Sequence, residues 1–252
     1  MRLGYLGFGT FARACAEGLV SDGHDIVVSE RSRANSSELS ARFDTVTVAN
    51  NQGVLDASDV VFVGSTAEQA EAMLSALQFR EGQRVISFMV GISPEQVQAL
   101  VAPATFETLM IPFPSIASGG SPVLVFPASP TIEALYGGSN TVITMKSESD
   151  FNEFLAAQAL LSVVAKSLAV GIDWLGHKTG SAHEAEKFLR LLIGGSIMAA
   201  PMETENAMAD LVESLNTPGG LNQQLREYMA DRNTYDDLVQ GIEVLSARLS
   251  EG

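Results

Sequence analysis

The sequence has few of the residues that disulfide-stabilised, zinc-binding or nucleic-acid-binding proteins need. Cys15 is the single cysteine among 252 residues, which excludes intrachain disulfides and cysteine-based zinc sites. Basic residues are also scarce, since 15 Lys and Arg stand against 30 Asp and Glu and give a formal net charge of −15. A protein this acidic repels nucleic-acid backbones and anionic lipid surfaces. We therefore expect neither nucleic acid nor a membrane as a partner.

Long apolar runs and targeting signals are also lacking. The stretch Leu191–Met202 is taken as the longest strongly apolar run, and it is too short to span a bilayer. The first residues show no basic region followed by an apolar run and a small-residue cleavage site. These features predict a soluble, cytoplasmic protein.

Candidate residues for metal binding or acyl transfer are few as well. His177 and His183 lie near Glu184 and Glu186, but their spacing fits no common ligand pattern. We expect these side chains to be solvated and predict no metal site. The chain also has no G-x-S-x-G sequence, which excludes the nucleophile elbow of serine hydrolases.

The first part of the chain alternates strand-like and helix-like segments. Hydrophobic residues make up 46% of the sequence, enough for one or two domains with a sizeable core. Short apolar runs predict strands and 3.6-residue periodicity predicts helices. Ser93, Pro94 and Gln96 form the pattern of a capped helix start. The predicted strands are 3–6, 25–29, 45–48, 59–64 and 84–89, and the predicted helices between them are 11–22, 38–43 and 68–77. This alternation indicates a parallel sheet with right-handed crossovers.

From Ser147 onward the strand signals stop and helical periodicity continues to the end. The segment Phe154–Val170 is apolar on nearly every side, which is typical of a helix buried all round or placed in a subunit interface. Ser181–Glu184 has the pattern of a capping box that opens another helix. Two further apolar series follow, at 207–215 and 238–249. The predicted fold class is therefore α/β, with a Rossmann-type, mostly parallel sheet domain at 1–146 and an all-helical domain at 147–252.

The glycine-rich stretch Gly7–Ala12 stands between the first predicted strand and the first predicted helix. In a dinucleotide-binding fold Gly7 would make the tight turn, and Gly9 would let the backbone approach a diphosphate. Ala12 would be the third small residue, where the helix packs on the strand. The diphosphate would rest on free N–H groups at the helix start, so Phe8, Thr10 and Phe11 belong to the predicted cofactor site. The alternative is an α/β sheet that binds no nucleotide.

The residues after the second predicted strand give conflicting signals about the nucleotide. Glu30 could accept hydrogen bonds from both ribose hydroxyls, which favours NAD. Arg31, Ser32 and Arg33 could instead hold a 2′-phosphate, which favours NADP. We favour NADP, with NAD as the alternative. A solvated charged loop is the third interpretation.

Near the other end of the chain, Thr217-Pro218-Gly219-Gly220 lies between two helical segments. The glycines permit close approach of the backbone, and the free N–H groups at the start of the next helix could hold a carboxylate. The alternative is an ordinary turn between helices, because Pro-Gly is common in turns.

The sequence resembles the pyrroline-5-carboxylate reductase family over most of its length. The resemblance rests on four segments: GYLGFGTFARACAEGL, ASDVVFVGS, VISFMVGISPEQV and LNTPGGLNQQL. It implies a Rossmann domain and a helical domain that interleaves between subunits, hence a homodimer. It also implies hydride transfer from NAD(P)H to the C=N carbon of a cyclic imine acid.

Several positions depart from the family pattern. Leu221 and Asn222 replace the last two threonines of the family's TPGGTT motif, and Phe113 replaces the asparagine of MPNTP. Thr66 and Ala67 stand where the family often has Lys-Pro. The segment around Gln158 keeps no serine or tyrosine of the family's SGSGPAY stretch. The resemblance then implies a relative that acts on a bulkier or less polar imine or carbonyl compound, or a regulatory relative with reduced catalysis.

The resemblance also implies a set of site residues. Thr217, Asn222 and Gln158 are the candidates for catalysis and substrate anchoring. Gly219, Gly220 and Phe113 are the candidates for substrate contact. The residues that follow the fourth strand, Gly64, Ser65 and Thr66, would complete the cofactor site. No strong acid is expected among them, because an iminium substrate carries its own positive charge.

Overall fold

A computed structural model describes residues 1–250, apart from the side chain of Ala67. The chain divides into two compact units, Met1–Asn152 and a second that begins at Glu153. The division falls within the helix Glu148–Ala157, and the predicted domain boundary, between residues 146 and 147, lies just before that helix.

The first unit is built on one eight-stranded sheet with the order β3-β2-β1-β4-β5-β6-β7-β8. Neighbouring strands are parallel except β6 and β7, which are antiparallel. The predicted mostly parallel sheet is therefore confirmed. Its strands are β1 (Arg2–Leu6), β2 (Asp25–Ser29), β3 (Val46–Ala49), β4 (Val60–Val63), β5 (Arg84–Ser87), β6 (Thr105–Pro112), β7 (Pro122–Phe126) and β8 (Thr141–Thr144).

Helices connect the strands of the first unit. They are α1 (Thr10–Glu17), α2 (Arg33–Arg42), α3 (Asn51–Ala57), α4 (Ala67–Leu74), α5 (Pro94–Val101) and α6 (Pro130–Tyr136), with 3₁₀ turns at Glu30–Ser32 and Pro114–Ala117. The capped start at Ser93 is confirmed, because the Ser93 side chain accepts from the Gln96 amide and the Gln96 side chain accepts from the Ser93 amide. The elements α3, α6 and β6–β8 were not predicted from the sequence.

Apolar layers on both faces of the sheet hold the first unit together. All four residues of β4 are buried, as expected for a central strand covered by helices on each side. Tyr5 of β1 stacks on Phe62 of β4 with ring centroids 4.6 Å apart. The Tyr5 hydroxyl lies 3.3 Å from that of Tyr136, which donates to the carbonyl of Cys15. Cys15 is buried, and burial raises the pKa of its thiol, so the lone cysteine is an inert core residue.

The second unit is helical, as predicted. After α7 (Glu148–Ala157) it contains α8 (Leu160–Thr179), α9 (Ala182–Ala199), α10 (Ala207–Ser214), α11 (Leu221–Ala230) and α12 (Thr234–Ser250). The predicted continuous helix 154–170 is interrupted by a turn at residues 158 and 159. The capping box predicted at Ser181 is wrong: α9 begins there, but the Ser181 side chain makes no capping hydrogen bond.

Many large apolar side chains of the second unit face outward in the single chain. Leu161, Trp174 and Leu191 are each more than 60% exposed. The segment Glu148–Thr179 is long and apolar enough to cross a membrane by length and composition alone, with a mean hydropathy of 1.8 over 18 residues of which 11% are buried. The longest apolar stretch is therefore here and not at 191–202, which corrects that expectation. An apolar helix with so little burial within its own chain needs some other cover.

Candidate functional site

A sharp backbone turn joins β1 to α1, and Gly7 lies at its start. Gly7 has φ +79°, which side chains on L-residues rarely permit. A Cβ atom at this position would lie 1.8 Å from the carbonyl oxygen of Gly64. The Gly7 amide donates to the hydroxyl of buried Ser29 at 3.0 Å. Gly7 is therefore required by the close approach of the β1 and β4 ends.

Gly9 precedes α1 and faces open space. Its backbone is extended, with φ −77°, and a Cβ atom there would meet nothing within 4 Å. No side chain caps this helix, and the amides of Thr10, Phe11 and Ala12 have no acceptor among the described residues. The helix start thus presents three free N–H groups, which suit an anion.

A cavity of about 370 Å³ opens at this helix start. Ten of its twelve lining residues belong to the predicted cofactor site, and the structure brings them together although they come from three separate loops. The twelve are Gly7, Gly9, Thr10, Phe11, Ala12, Arg31, Ser32, Gly64, Ser65, Thr66, Gln69 and Phe88. The cavity lies at the carboxyl ends of β1, β2, β4 and β5, where ligands bind in open α/β sheets.

Two residues of the predicted cofactor site do not line this cavity. Phe8 is fully buried and packs edge-to-face on Tyr5, with ring centroids 6.0 Å apart. Its side chain is therefore part of the core, since the turn directs it inward. Glu30 is exposed and lies outside the cavity lining. The structure places Arg31 and Ser32 at the cavity instead.

Hydrogen bonds tie the residues that follow β2 to α4 and to the glycine turn. The Arg31 guanidinium donates to the side-chain oxygen of Gln69 at 2.7 Å. The Asn35 side chain donates to the carbonyl of Phe8 at 3.1 Å. Ser32 precedes α2 and makes no side-chain capping bond. A cation and a hydroxyl thus lie on the β2 side of the cavity.

Two residues that line the cavity, Gln69 and Phe88, were not among the predicted site residues. Phe88 follows β5 directly and its ring centroid lies 5.6 Å from that of Phe62. Phe88 could have been predicted as a site residue, because it lies at the carboxyl end of a parallel strand. Gln69 lies in the first turn of α4, where no motif distinguishes it from other helix residues.

In the second unit, residues 215–220 connect α10 to α11. Gly219 has φ +73° and its amide donates to the Gln223 side chain at 2.7 Å. The Gly220 amide donates to the carbonyl of Thr217 at 2.8 Å. The amides of Gly219 and Gly220 are therefore engaged within the turn, and the contact of these two residues with a substrate stays a prediction.

The free backbone N–H groups follow this turn, at the start of α11. No side chain caps α11, and the amides of Leu221, Asn222 and Gln223 have no acceptor among the described residues. Thr217 and Asn222 are exposed beside them. A carboxylate at this helix start would meet those amides, in keeping with the expectation for the start of the following helix.

The remaining predicted substrate residues occupy separate places. Gln158 is exposed in the turn between α7 and α8. Phe113 is half-buried and precedes the 3₁₀ turn Pro114–Ala117. Their proposed contacts with a substrate stay predictions.

The histidines predicted to be solvated are exposed. His177 lies 3.3 Å from Asp173 on α8, and both side chains are largely open to solvent. His183 is exposed near the start of α9. Within residues 1–250 no three metal-ligating side chains come together.

Comparisons with known proteins agree with this architecture. Residues 2–91 match the family model described as NADP oxidoreductase, coenzyme F420-dependent. The solved pyrroline-5-carboxylate reductase of Streptococcus pyogenes is 20% identical with a TM-score of 0.82, and the match covers 100% of this chain and 99% of that one. The NADP-bound pyrroline carboxylate reductase of Plasmodium falciparum is 15% identical with a TM-score of 0.82, covering 99% and 97%.

More distant matches include an imine reductase from Aspergillus terreus in complex with NADPH4 and dibenz[c,e]azepine. It is 16% identical with a TM-score of 0.52, and the match covers 93% of this chain and 94% of that one. A comparison with curated proteins found no match. Residues 2–91 are therefore similar to the NADP-oxidoreductase family model, and the whole chain has the fold of pyrroline-5-carboxylate reductases, as the sequence resemblance implied.

Proposed function

We propose that this protein is an NADPH-dependent reductase that transfers hydride to the C=N bond of a cyclic imine acid or a related small molecule. The observation that carries the proposal is the glycine turn, where Gly9 leaves room for a ligand beside the free amides of α1. This turn lies in a chain that shares its fold, from end to end, with reductases of C=N substrates.

The residues at the cavity fit a dinucleotide. The amides of Thr10, Phe11 and Ala12 would hold the diphosphate, assisted by the α1 dipole. When bound, the cofactor supplies a hydride from its nicotinamide ring. The chain's task is then to hold the ring and the acceptor carbon together and to exclude water.

We propose NADP rather than NAD as the cofactor. Arg31 and Ser32 line the cavity, whereas Glu30, the residue that would accept from ribose hydroxyls, does not. A guanidinium and a hydroxyl are suitable partners for a 2′-phosphate. NAD is the alternative that the test below examines.

For the substrate, we propose that the start of α11 binds its carboxylate. The free amides of Leu221–Gln223 are the donors, and Thr217 and Asn222 add side-chain hydrogen bonds. An iminium substrate brings its own positive charge, so the transfer needs no strong acid from the protein. Gln158 and Phe113 stay weaker candidates for substrate contact.

We further propose that the protein is a cytoplasmic homodimer whose helical units cover one another. Support comes from the apolar side chains of α8 and α9 that the single chain leaves exposed, among them Leu161, Trp174 and Leu191. A second copy offers the same apolar surface, as isologous interfaces require. Nucleic acid and membrane lipid are not proposed as partners, given the net charge of −15.

The proposal is tested by titrating the purified full-length protein with NADPH and with NADH. Intrinsic fluorescence and thermal shift report binding, and loss of absorbance at the nicotinamide band reports turnover with a panel of cyclic imine acids, other cyclic imines and oxo acids. We expect tighter binding of NADPH and turnover of at least one imine. Absence of binding to both nucleotides would refute the proposal.

A second candidate is a nucleotide-binding regulatory relative with reduced catalysis. It is favoured by the engaged amides of Gly219 and Gly220 and by Leu221 and Asn222 in place of two threonines. Nucleotide binding without turnover across the whole panel would support this candidate. Turnover of any panel compound would exclude it.

A further inference from the structure

The hydrogen bond between Arg31 and Gln69 joins the residues after β2 to helix α4, on opposite sides of β1. Arg31 follows β2, and Gln69 lies in the first turn of α4, which follows β4. In the sheet, β2 and β4 are the two neighbours of β1. The Arg31 Nη2 donates to Gln69 Oε1 at 2.7 Å, and both residues line the cavity. The bond therefore links the two sides of the cavity.

A hydrogen-bond partner restricts the conformations of an exposed arginine before a ligand binds. Arg31 is solvent-exposed, and a free arginine side chain loses considerable rotamer freedom when a ligand orders it. Gln69 accepts from one of the five guanidinium N–H groups and leaves the others for a ligand. Because the amide is neutral, it orients the guanidinium without cancelling its charge. A carboxylate at the same place would orient the guanidinium and also neutralise it.

We propose that Gln69 is a positioning residue that sets the preference for a 2′-phosphorylated nucleotide by holding Arg31 at the cavity. This inference rests on the proposed function, and it adds a residue from α4 to the specificity of the site. Gln69 acts through Arg31, so its effect appears only with ligands that carry the 2′-phosphate.

The experiment compares Gln69→Ala and Gln69→Glu with the wild type in the full-length chain. The ligands are NADPH, NADH and adenosine 2′,5′-bisphosphate, and the dissociation constants are measured by calorimetry. Because Gln69→Ala removes one hydrogen bond, we expect it to weaken the binding of NADPH and of the bisphosphate by about three- to tenfold. The dissociation constant of NADH should not change. Gln69→Glu should weaken the binding of the same two ligands further, because its carboxylate also neutralises the guanidinium. Glu71→Ala, an exposed change on the same helix, is the matched control and leaves all three constants unchanged.

A double-mutant cycle with Arg31→Ala shows whether Gln69 acts through Arg31. We expect Gln69→Ala to have no further effect once Arg31 is removed. The inference is overturned if Gln69→Ala weakens NADH as much as NADPH, if its effect persists without Arg31, or if it tightens binding. If the wild type binds neither nucleotide, the proposed function fails together with this inference. If the wild type binds NADPH and Gln69→Ala binds it equally well, only the role of Gln69 falls.

Discussion

At the scale of single residues, two glycines of one turn have different physical reasons to be glycine. Gly7 has a positive φ and no room for a Cβ against Gly64, whereas Gly9 has an ordinary φ and open space. The fold therefore requires glycine at position 7, whereas at position 9 glycine leaves the space in which we propose that the diphosphate binds. A G-x-G pattern predicts both positions but does not separate these roles.

We predict that Gly7→Ala destabilises the protein and that Gly9→Val mainly weakens nucleotide binding. The left-handed backbone at Gly7 costs about 1–2 kcal/mol for an L-residue, before the clash with Gly64 is counted. At Gly9, the start of α1, the cost to stability is about 1 kcal/mol or less. The valine side chain would occupy the space proposed for the diphosphate.

Urea unfolding and NADPH titration of the two variants check this pair of predictions. Gly9→Val should unfold near the wild-type midpoint and bind NADPH at least about tenfold more weakly, a loss of roughly 1.4 kcal/mol. Normal NADPH affinity in Gly9→Val would contradict the assignment of this turn to the cofactor.

Residues with a local signal were predictable, and those that depend on long-range contacts were not. The glycine turn and the strand-end arginine follow from short motifs. Gln69 could not be predicted, because its contact with Arg31 joins residues 38 positions apart in sequence. The inward direction of Phe8 likewise depends on its packing against Tyr5.

At the scale of elements, two similar sequence patterns gave different outcomes. Ser93 forms its capping box, but Ser181 does not. Ser181 follows Gly180, which ends α8 in the left-handed conformation, and Gly176 lies close enough to Ala182 that an added Cβ would be 3.1 Å from its Cα. The tight packing of α8 on α9 thus sets the backbone there. Strands β6–β8 were not predicted; β5–β6 and β7–β8 continue the parallel βαβ pattern, and only the β6–β7 pair, which is antiparallel, departs from it.

An ion cluster at the amino ends of the strands gives a prediction on pH. Asp59, just before β4, pairs with Arg2 of β1 and with Arg80. Hydrogen bonding to Arg2, aided by Arg80, lowers the pKa of the Asp59 carboxyl. A lowered pKa in the folded state stabilises the protein above the ordinary carboxyl pKa of about 3.9. This contribution is lost as the pH falls through the lower, folded-state value.

We predict that Asp59→Asn lowers the free energy of unfolding at pH 7 and that its difference from the wild type shrinks below about pH 4. The ions are partly exposed, so the effect at pH 7 is about 1 kcal/mol or less. Urea unfolding at pH 7 and at pH 3 measures this difference in free energy. Asp44→Asn is the control, because Asp44 is exposed and lies outside the ion pairs. An equal difference at pH 7 and pH 3 would contradict this explanation.

At the scale of the whole molecule, the main feature is the set of apolar side chains on α8 and α9 that the single chain leaves exposed. The Rossmann-type and helical architecture was predictable because the hydrophobic periodicity changes near residue 147. Which apolar positions remain uncovered was not predictable, since a helix apolar on all sides looks the same whether its own chain or a second copy buries it.

We predict that Leu191→Glu, in the middle of α9, shifts the protein from dimer to monomer. Leu191 is 67% exposed in the single chain, and burying an unpaired carboxylate in an apolar interface is costly. Light scattering coupled to size-exclusion chromatography measures the mass. Ser37→Glu, which adds the same charge to an exposed position of α2, should remain dimeric. A wild type that is monomeric at all concentrations would refute the dimer proposal.

The hydrogen bond from Asn35 to the Phe8 carbonyl has a consequence for ligand selection. It ties α2 to the glycine turn, and so it holds the Arg31 loop near the α1 start, where we propose that the diphosphate binds. A ligand that engages both must carry two anionic groups at one matching interval. Molecules of the right charge but the wrong length are then discriminated by geometry, before any chemistry begins.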